Sequence, residues 1–138
     1  MLDRWGSGVR KPVVEAVSSG AELQALRSVL GDVHVAPAIK GYVLGLVRRT
    51  RELAQEEHEG ARLLEFGASP RATLGLHQAA RALALLRGEG YVTPALIQEV
   101  AADVLRHRVG LTYEAVASGM HPDAVVGLVL EQVEIPAP

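Results

Sequence analysis

The sequence predicts an all-α protein, a small helical bundle with about four main helices and shorter ones between them. Three observations carry this expectation. Apolar residues recur at spacings of three and four over several stretches, which is the period of a helix face. Prolines stand at the starts of those stretches, where a missing amide is tolerated and the fixed φ suits a first helical residue. The chain has one Trp, three Tyr and one Phe among 138 residues. Ala, Leu and Val supply most of the apolar surface instead, a mixture that suits closely packed helices better than strands.

Residues 1–20 read as a lead-in. Gly6-Ser7-Gly8, Lys11-Pro12 and Ser18-Ser19-Gly20 break regular structure, and Pro12 holds Lys11 extended. Ser19 or Gly20 caps a first helix with Glu22 in its first turn, and Leu23, Leu26 and Leu30 follow until Gly31-Asp32. The second helix starts at Pro37 and places Ile39, Tyr42, Val43, Leu46 and Val47 on one face, running to about Gln55. Gly41 and Gly45 lie inside it, each costing up to ~1 kcal/mol against Ala, so close approach of another helix or a ligand is expected there. Glu56 to Gly60 reads as a charged loop, and Arg62 to Gly67 as briefly extended.

A third helix opens with Ser69 as N-cap and Pro70 as first helical residue; its stripe is Leu76, Ala79, Ala80, Leu83 and Leu86, stopped by Gly88-Glu89-Gly90. Thr93-Pro94 repeats the cap-then-proline pattern for a fourth helix carrying Ile97, Val100, Ala101 and Val104. Arg106, His107 and Arg108 fall in its last turn, where cations oppose the helix dipole. A short turn of helix lies within Leu111 to Ala117, and His121-Pro122-Asp123 opens a last helix through Val133. The expected core is Leu26, Val43, Leu46, Leu83, Leu86, Ile97, Val100 and Val104.

Composition excludes several functions. The net charge of −2 argues against nucleic acid as a partner, leaving only a small patch of Arg48, Arg49 and Arg51. There is no cysteine, hence no disulfide framework and no thiolate metal site. No apolar run approaches a membrane span, and the first residues lack the apolar stretch of a signal peptide. A cytoplasmic location is therefore expected. Glu57-His58-Glu59 is the one tempting metal cluster, but it sits in a solvated charge run, and no metal site is expected. No phosphate-binding glycine loop and no H-E-x-x-H motif occur. His77 and His107 have no second histidine one turn away, and no serine has an arranged partner.

One set of blocks stands apart. Tyr42-Val43-x-x-Leu46-Val47-Arg48-x-Thr50-Arg51 is followed by Gly67-Ala68-Ser69-Pro70-Arg71-Ala72, then by Ala79-Ala80-Arg81-Ala82-Leu83-Ala84-Leu85-Leu86. Gly90-Tyr91-Val92-Thr93-Pro94 and Val104-Leu105-Arg106-His107-Arg108 complete the series. In that order they closely resemble the C-terminal lid of MoxR-type AAA+ ATPases over roughly residues 20–134, with magnesium-chelatase-type lids as more distant kin. The resemblance implies residues 1–20 as a linker from an AAA+ core that this sequence lacks, 21–134 as the lid, and 135–138 as a tail. It implies a parent ATPase with a chaperone-like remodelling role, ATP as ligand and Mg²⁺ supplied by the core. It also implies neighbouring subunits of a hexameric ring and an unknown client protein. This chain by itself, without a phosphate loop, is not expected to be an enzyme.

In that family the arginine of the G-A-S-P-R-A block is the sensor-two arginine, which maps onto Arg71. Local physics agrees: a helix N-terminus is an anion site, and acids rather than cations are the residues ordinarily favoured there. The plainer reading is that Arg71 is merely solvated or pairs with Glu65. Ser69 and Pro70 fix the start of its helix, and the family packs lid residues around adenine, which makes Tyr42 or Ile39 a candidate contact. A core tyrosine is the plainer reading of Tyr42. Arg81, further along the helix, is expected to play no part. A free-standing helical protein-interaction module that binds no nucleotide is the rival reading.

Overall fold

The structure, a computed structural model, describes residues 14–58 and 60–137. The lead-in before Val14 and residue Glu59 lie outside the described residues.

Helix α1 (Gly20–Ser28) begins with a capping box: Ser19 Oγ accepts from the Glu22 amide at 3.2 Å, and the Ser19 amide donates to Glu22 Oε2 at 2.7 Å. The start expected for this helix is therefore present, but its expected contribution to the core is not. No residue of α1 is buried, and Leu26 is 54% exposed. Its leucines share a face as periodicity requires, yet no other element among the described residues covers that face. A 3₁₀ turn (Val29–Asp32) follows. The chain then runs beside Tyr91, with the His34 amide bonded to the Gly90 carbonyl at 2.8 Å and the Val92 amide to the His34 carbonyl at 2.9 Å, which seats Val33 and Val35 in the core.

Helix α2 (Pro37–Leu53) is the central element, with Ile39, Tyr42, Val43, Leu46, Val47, Thr50 and Leu53 buried along one face. Of its two internal glycines, Gly45 has the expected close neighbour: a Cβ there would meet Val133 Cγ1 at 3.2 Å. Gly41 does not, since a Cβ there would meet open space. The expected charged loop is partly a hairpin, β1 (Glu57–His58) pairing antiparallel with β2 (Ala61–Arg62), with Gly60 at φ 84° making the turn.

Strand β3 (Leu64–Phe66) pairs antiparallel with β4 (Gly110–Leu111). Gly110 lies beneath the Phe66 ring, so a Cβ there would force that ring to move. The remaining helices are α3 (Arg71–Leu86), α4 (Pro94–Leu105), α5 (Tyr113–Ala117) and α6 (Pro122–Gln132). Pro37, Pro94 and Pro122 each stand in the first turn, as expected. Thr93 and Thr112 cap α4 and α5 through their hydroxyls.

The core lies between α2, α3, α4 and α6. Helices α3 and α4 share the largest interface, and alanines on both (Ala80, Ala84, Ala101) are fully buried, which lets the backbones approach. Val43, Leu46, Ile97 and Val104 are buried as expected. Leu83 and Val100 are only partly buried. Leu86 is 84% exposed: the buried line on α3 is Ala72, Leu76, Ala80 and Ala84, and a residue two places beyond Ala84 points away from it. Among the described residues no helix is long and apolar enough to cross a membrane.

Candidate functional site at the start of α3

The segment leading into α3 is pinned against α2. Gly67 sits so close to that helix that a Cβ would fall 2.4 Å from the Thr50 carbonyl oxygen and 2.6 Å from Arg51 Cα. The amide of Ala68, itself fully buried, donates to Thr50 Oγ1 at 2.9 Å, and that hydroxyl donates to the Val47 carbonyl at 2.7 Å. Thr50 is therefore a buried clamp between helix and loop.

Pro70 has helical dihedrals (φ −55°, ψ −24°) and immediately precedes the first assigned helical residue, Arg71. The N-cap is Pro70, not Ser69 as expected, and no side chain caps the start; the Ser69 carbonyl accepts from the Ala72 amide at 2.9 Å. Thr73 closes the turn, its amide and hydroxyl both donating to the Pro70 carbonyl, at 3.1 and 2.6 Å. Arg71 is thus rooted in a rigid corner. Its side chain is exposed and forms no ion pair among the described residues, with Glu65 or with any other acid.

The structure brings Ser69, Pro70 and Arg71 together and leaves Ile39 and Tyr42 apart from them. Both are buried on the N-terminal half of α2, with the Tyr42 hydroxyl accepting from Gln98 Nε2 at 3.2 Å. Counted from Thr50, where the α3 corner is pinned, Ile39 and Tyr42 lie about 16 and 12 Å back along the helix axis.

The Arg106-His107-Arg108 run resolves into separate roles. Arg106 bridges Asp103 and Asp123 at 2.9 and 3.0 Å and also donates to the Ala102 carbonyl at 3.1 Å, tying the end of α4 to the start of α6. Arg108 donates to the Val104 carbonyl and lies over Gly75, on α3 one turn beyond Arg71. Both serve the last carbonyls of α4, as expected for cations at that end.

Arg81 is half-buried, and its Nε is enclosed without a hydrogen-bond partner. His77, one turn earlier, has its imidazole pKa lowered from the usual 6.5 by burial first, then by the charges of Arg81 and Lys40. Helical spacing puts His77 and Arg81 on one face, but only the tertiary packing encloses them.

The family described as the AAA lid domain matches residues 56–127, just over half the chain. Chaperone MoxR1 of Mycobacterium tuberculosis is 41% identical over 130 residues, covering 94% of this chain and 34% of that protein. Protein MoxR of Paracoccus denitrificans is 34% identical over 116 residues, 79% of this chain and 34% of its own length. A crystal structure of a candidate ATPase from Cytophaga hutchinsonii superposes with a TM-score of 0.84 at 30% identity, covering 99% of this chain and 42% of that one. The chain spans about a third of the length of the curated relatives it matches. The order of helices, the clamped glycine corner and these likenesses agree, and the chain belongs to the AAA lid domain family, of the kind carried by MoxR-type AAA+ ATPases.

Proposed function

We propose that this chain acts as the lid that closes over ATP held by an AAA+ core of the same protein, with Arg71 reading the γ-phosphate. The observation that carries this reading is the corner at Gly67 to Arg71: a cation rooted at a helix start, with no acid paired to it among the described residues. Positive charge aimed at a transferring phosphoryl group stabilises its transition state. The donor set fits a phosphate and offers nothing to Mg²⁺, which in this reading is held by the core. Ile39 and Tyr42 lie at a separation from the α3 corner comparable with the length of an extended nucleotide, so an adenine contact falls near the edge of their buried cluster. When the γ-phosphate is lost, Arg71 loses its partner and the lid is released as a rigid body, a motion passed to neighbouring subunits of a hexameric ring and on to a client protein. The chain on its own turns over no ATP in this reading.

The test uses the full-length protein that carries this lid, in a steady-state ATPase assay. Arg71→Ala should lower turnover by on the order of 10² or more, while ADP affinity changes far less, because ADP lacks the phosphate concerned. Arg71→Lys should rescue only in part, since an ammonium lacks the forked donor geometry. Arg87, exposed and paired with Glu99 at 2.7 Å, supplies the control. Equal effects of Arg71→Ala and Arg87→Ala would overturn the assignment.

A further inference from the structure

Of the two arginines just after α4, Arg106 meets Asp103 and Asp123, while Arg108 meets no carboxylate among the described residues. Arg108 is half-buried, and its guanidinium is held in one place. Nη1 donates to the Val104 carbonyl and touches His107 Nε2. Nη2 stands 3.8 Å, and Cζ 3.9 Å, from where a Cβ on Gly75 would be. Glycine inside a helix costs up to about 1 kcal/mol against alanine. Here its bare backbone makes a seat for the guanidinium and for Val104 Cγ1, which lies 3.1 Å from the same point. That seat is on the face of α3 that carries Arg71, because residues four apart in a helix share a face. Helical Cβ atoms lean toward the N-terminus, so a group beside the Gly75 Cβ position stands over the turn that Arg71 opens. Nε and Nη2 of Arg108 make no hydrogen bond among the described residues, and neither is sealed from solvent.

We propose that Arg108 is a second phosphate-binding arginine of the Arg71 site, taking the phosphate next inward from the γ-phosphate of the same nucleotide. The inference rests on the γ-phosphate reading of Arg71 and adds to it a contact with the part that ATP and ADP share. With Nη1 committed to Val104, the guanidinium keeps its Nε–Nη2 edge, and a guanidinium edge with two parallel N–H groups grips two oxygens of a phosphate at once. Arg71 and Gly75 are about 6 Å apart along the α3 axis. The two guanidiniums are therefore based a turn apart, a spacing that suits neighbouring groups of one polyphosphate. Neither has to give up an acid of this chain in order to bind. Their attachments divide the work. Arg71 is exposed on a corner tied to α2 through Thr50, whereas Arg108 is anchored to the last turn of α4. Arg108 keeps its hold on the nucleotide after hydrolysis, and Arg71 reports that the γ-phosphate has gone.

The experiment measures ADP and ATP affinity by calorimetry, beside steady-state turnover, in the full-length protein that carries this lid. Arg108→Gln removes the charge and keeps an amide able to donate to the Val104 carbonyl. It should weaken ADP and ATP alike by about tenfold or more, the scale of one charge-assisted contact. Arg71→Ala should instead leave ADP affinity nearly unchanged. Arg108→Lys should recover binding in part, since an ammonium lacks the forked edge. Gly75→Val fills the seat, leaves every charge in place and should reproduce the loss. Arg87→Gln, away from both arginines, should bind as the wild type does. Melting followed by circular dichroism shows which variants are folded. A folded Arg108→Gln that melts lower yet binds both nucleotides normally would mean that Arg108 only holds the end of α4, and the proposal falls. A loss of ATP affinity alone also overturns it, because Arg108 would then touch the γ-phosphate. Wild-type turnover in Arg71→Ala sinks the γ-phosphate reading and this proposal with it. Lowered turnover in Arg71→Ala together with unchanged ADP affinity in Arg108→Gln sinks this proposal alone.

Discussion

Thr50 carries more of the site than its size suggests. Its hydroxyl is the joint between α2 and the loop that aims Arg71, accepting from the Ala68 amide and donating to the Val47 carbonyl. Thr50→Val keeps the shape and removes the joint, leaving a buried amide unsatisfied, which costs about 1–3 kcal/mol. Urea unfolding should show that loss as a lower midpoint with an unchanged slope. Gly67→Ala probes the same contact from the other side. The added methyl would overlap Thr50 backbone, which cannot swing away as a flexible side chain can. The loop must therefore lift off α2, at a cost of roughly 1–3 kcal/mol for overpacking. If the proposed lid role holds, both changes should lower ATP turnover of a full-length protein carrying this lid without touching Arg71 itself. Stability falling while activity per folded molecule stays at the wild-type level would show that the clamp does not aim the arginine.

At the scale of elements, helix starts were legible because their signals are local: Pro37, Pro94 and Pro122, and the Ser19–Glu22 box, need only their own neighbours in sequence. The burial of a whole face was less so. Periodicity aligned Leu23 and Leu26 on α1, but whether anything covers them depends on the rest of the fold, and nothing among the described residues does. Leu86 fell off the buried face because α3 packs through the alanine line, not through its larger side chains. The β3–β4 pairing joins residues more than forty positions apart and rests on Phe66 lying over Gly110, a match no local pattern reports. The Ser69–Arg71 corner was legible as a motif, whereas the Arg81 orphan exists only once α2 and α3 are packed together. That packing has a measurable consequence in acid. Burial and two cations lower the His77 pKa, so between that lowered value and the usual 6.5 the unfolded chain binds more protons than the folded one. Stability is therefore full above the usual histidine value and falls as the pH drops through it toward the lowered one. His77→Gln should flatten that part of the profile of melting temperature against pH. An unchanged profile would mean that His77 is not held neutral by the fold.

For the molecule as a whole, the two ends of the described chain stand in opposite relations to the core. Helix α6 places Val125, Val126 and Val129 at 0–1% exposure, and Val133 follows against Gly45. Arg49 adds a hydrogen bond to Gln132 at 2.8 Å across the α2–α6 interface. Three fully buried valines contribute about 1.5–3 kcal/mol each, a sum comparable with the whole stability of a small domain, about 5–15 kcal/mol. Deleting residues 122–138 should therefore abolish cooperative unfolding. Helix α1 is the reverse case: it is well capped yet buries none of its residues. Deleting residues 14–28 removes a helix that stabilises mainly itself, and the remaining domain should change by no more than about 0.5 kcal/mol, as for changes at surface positions. Thermal melts followed by circular dichroism test both deletions in one series. The N-terminal deletion should lose helical signal in proportion to α1 while keeping its midpoint, and the C-terminal deletion should lose the transition itself. If the N-terminal deletion lowers the midpoint by several degrees, α1 is coupled to the bundle through contacts its exposed face does not show. Its leucines would then belong to this domain's stability and would be unavailable for contact with the AAA+ core proposed above.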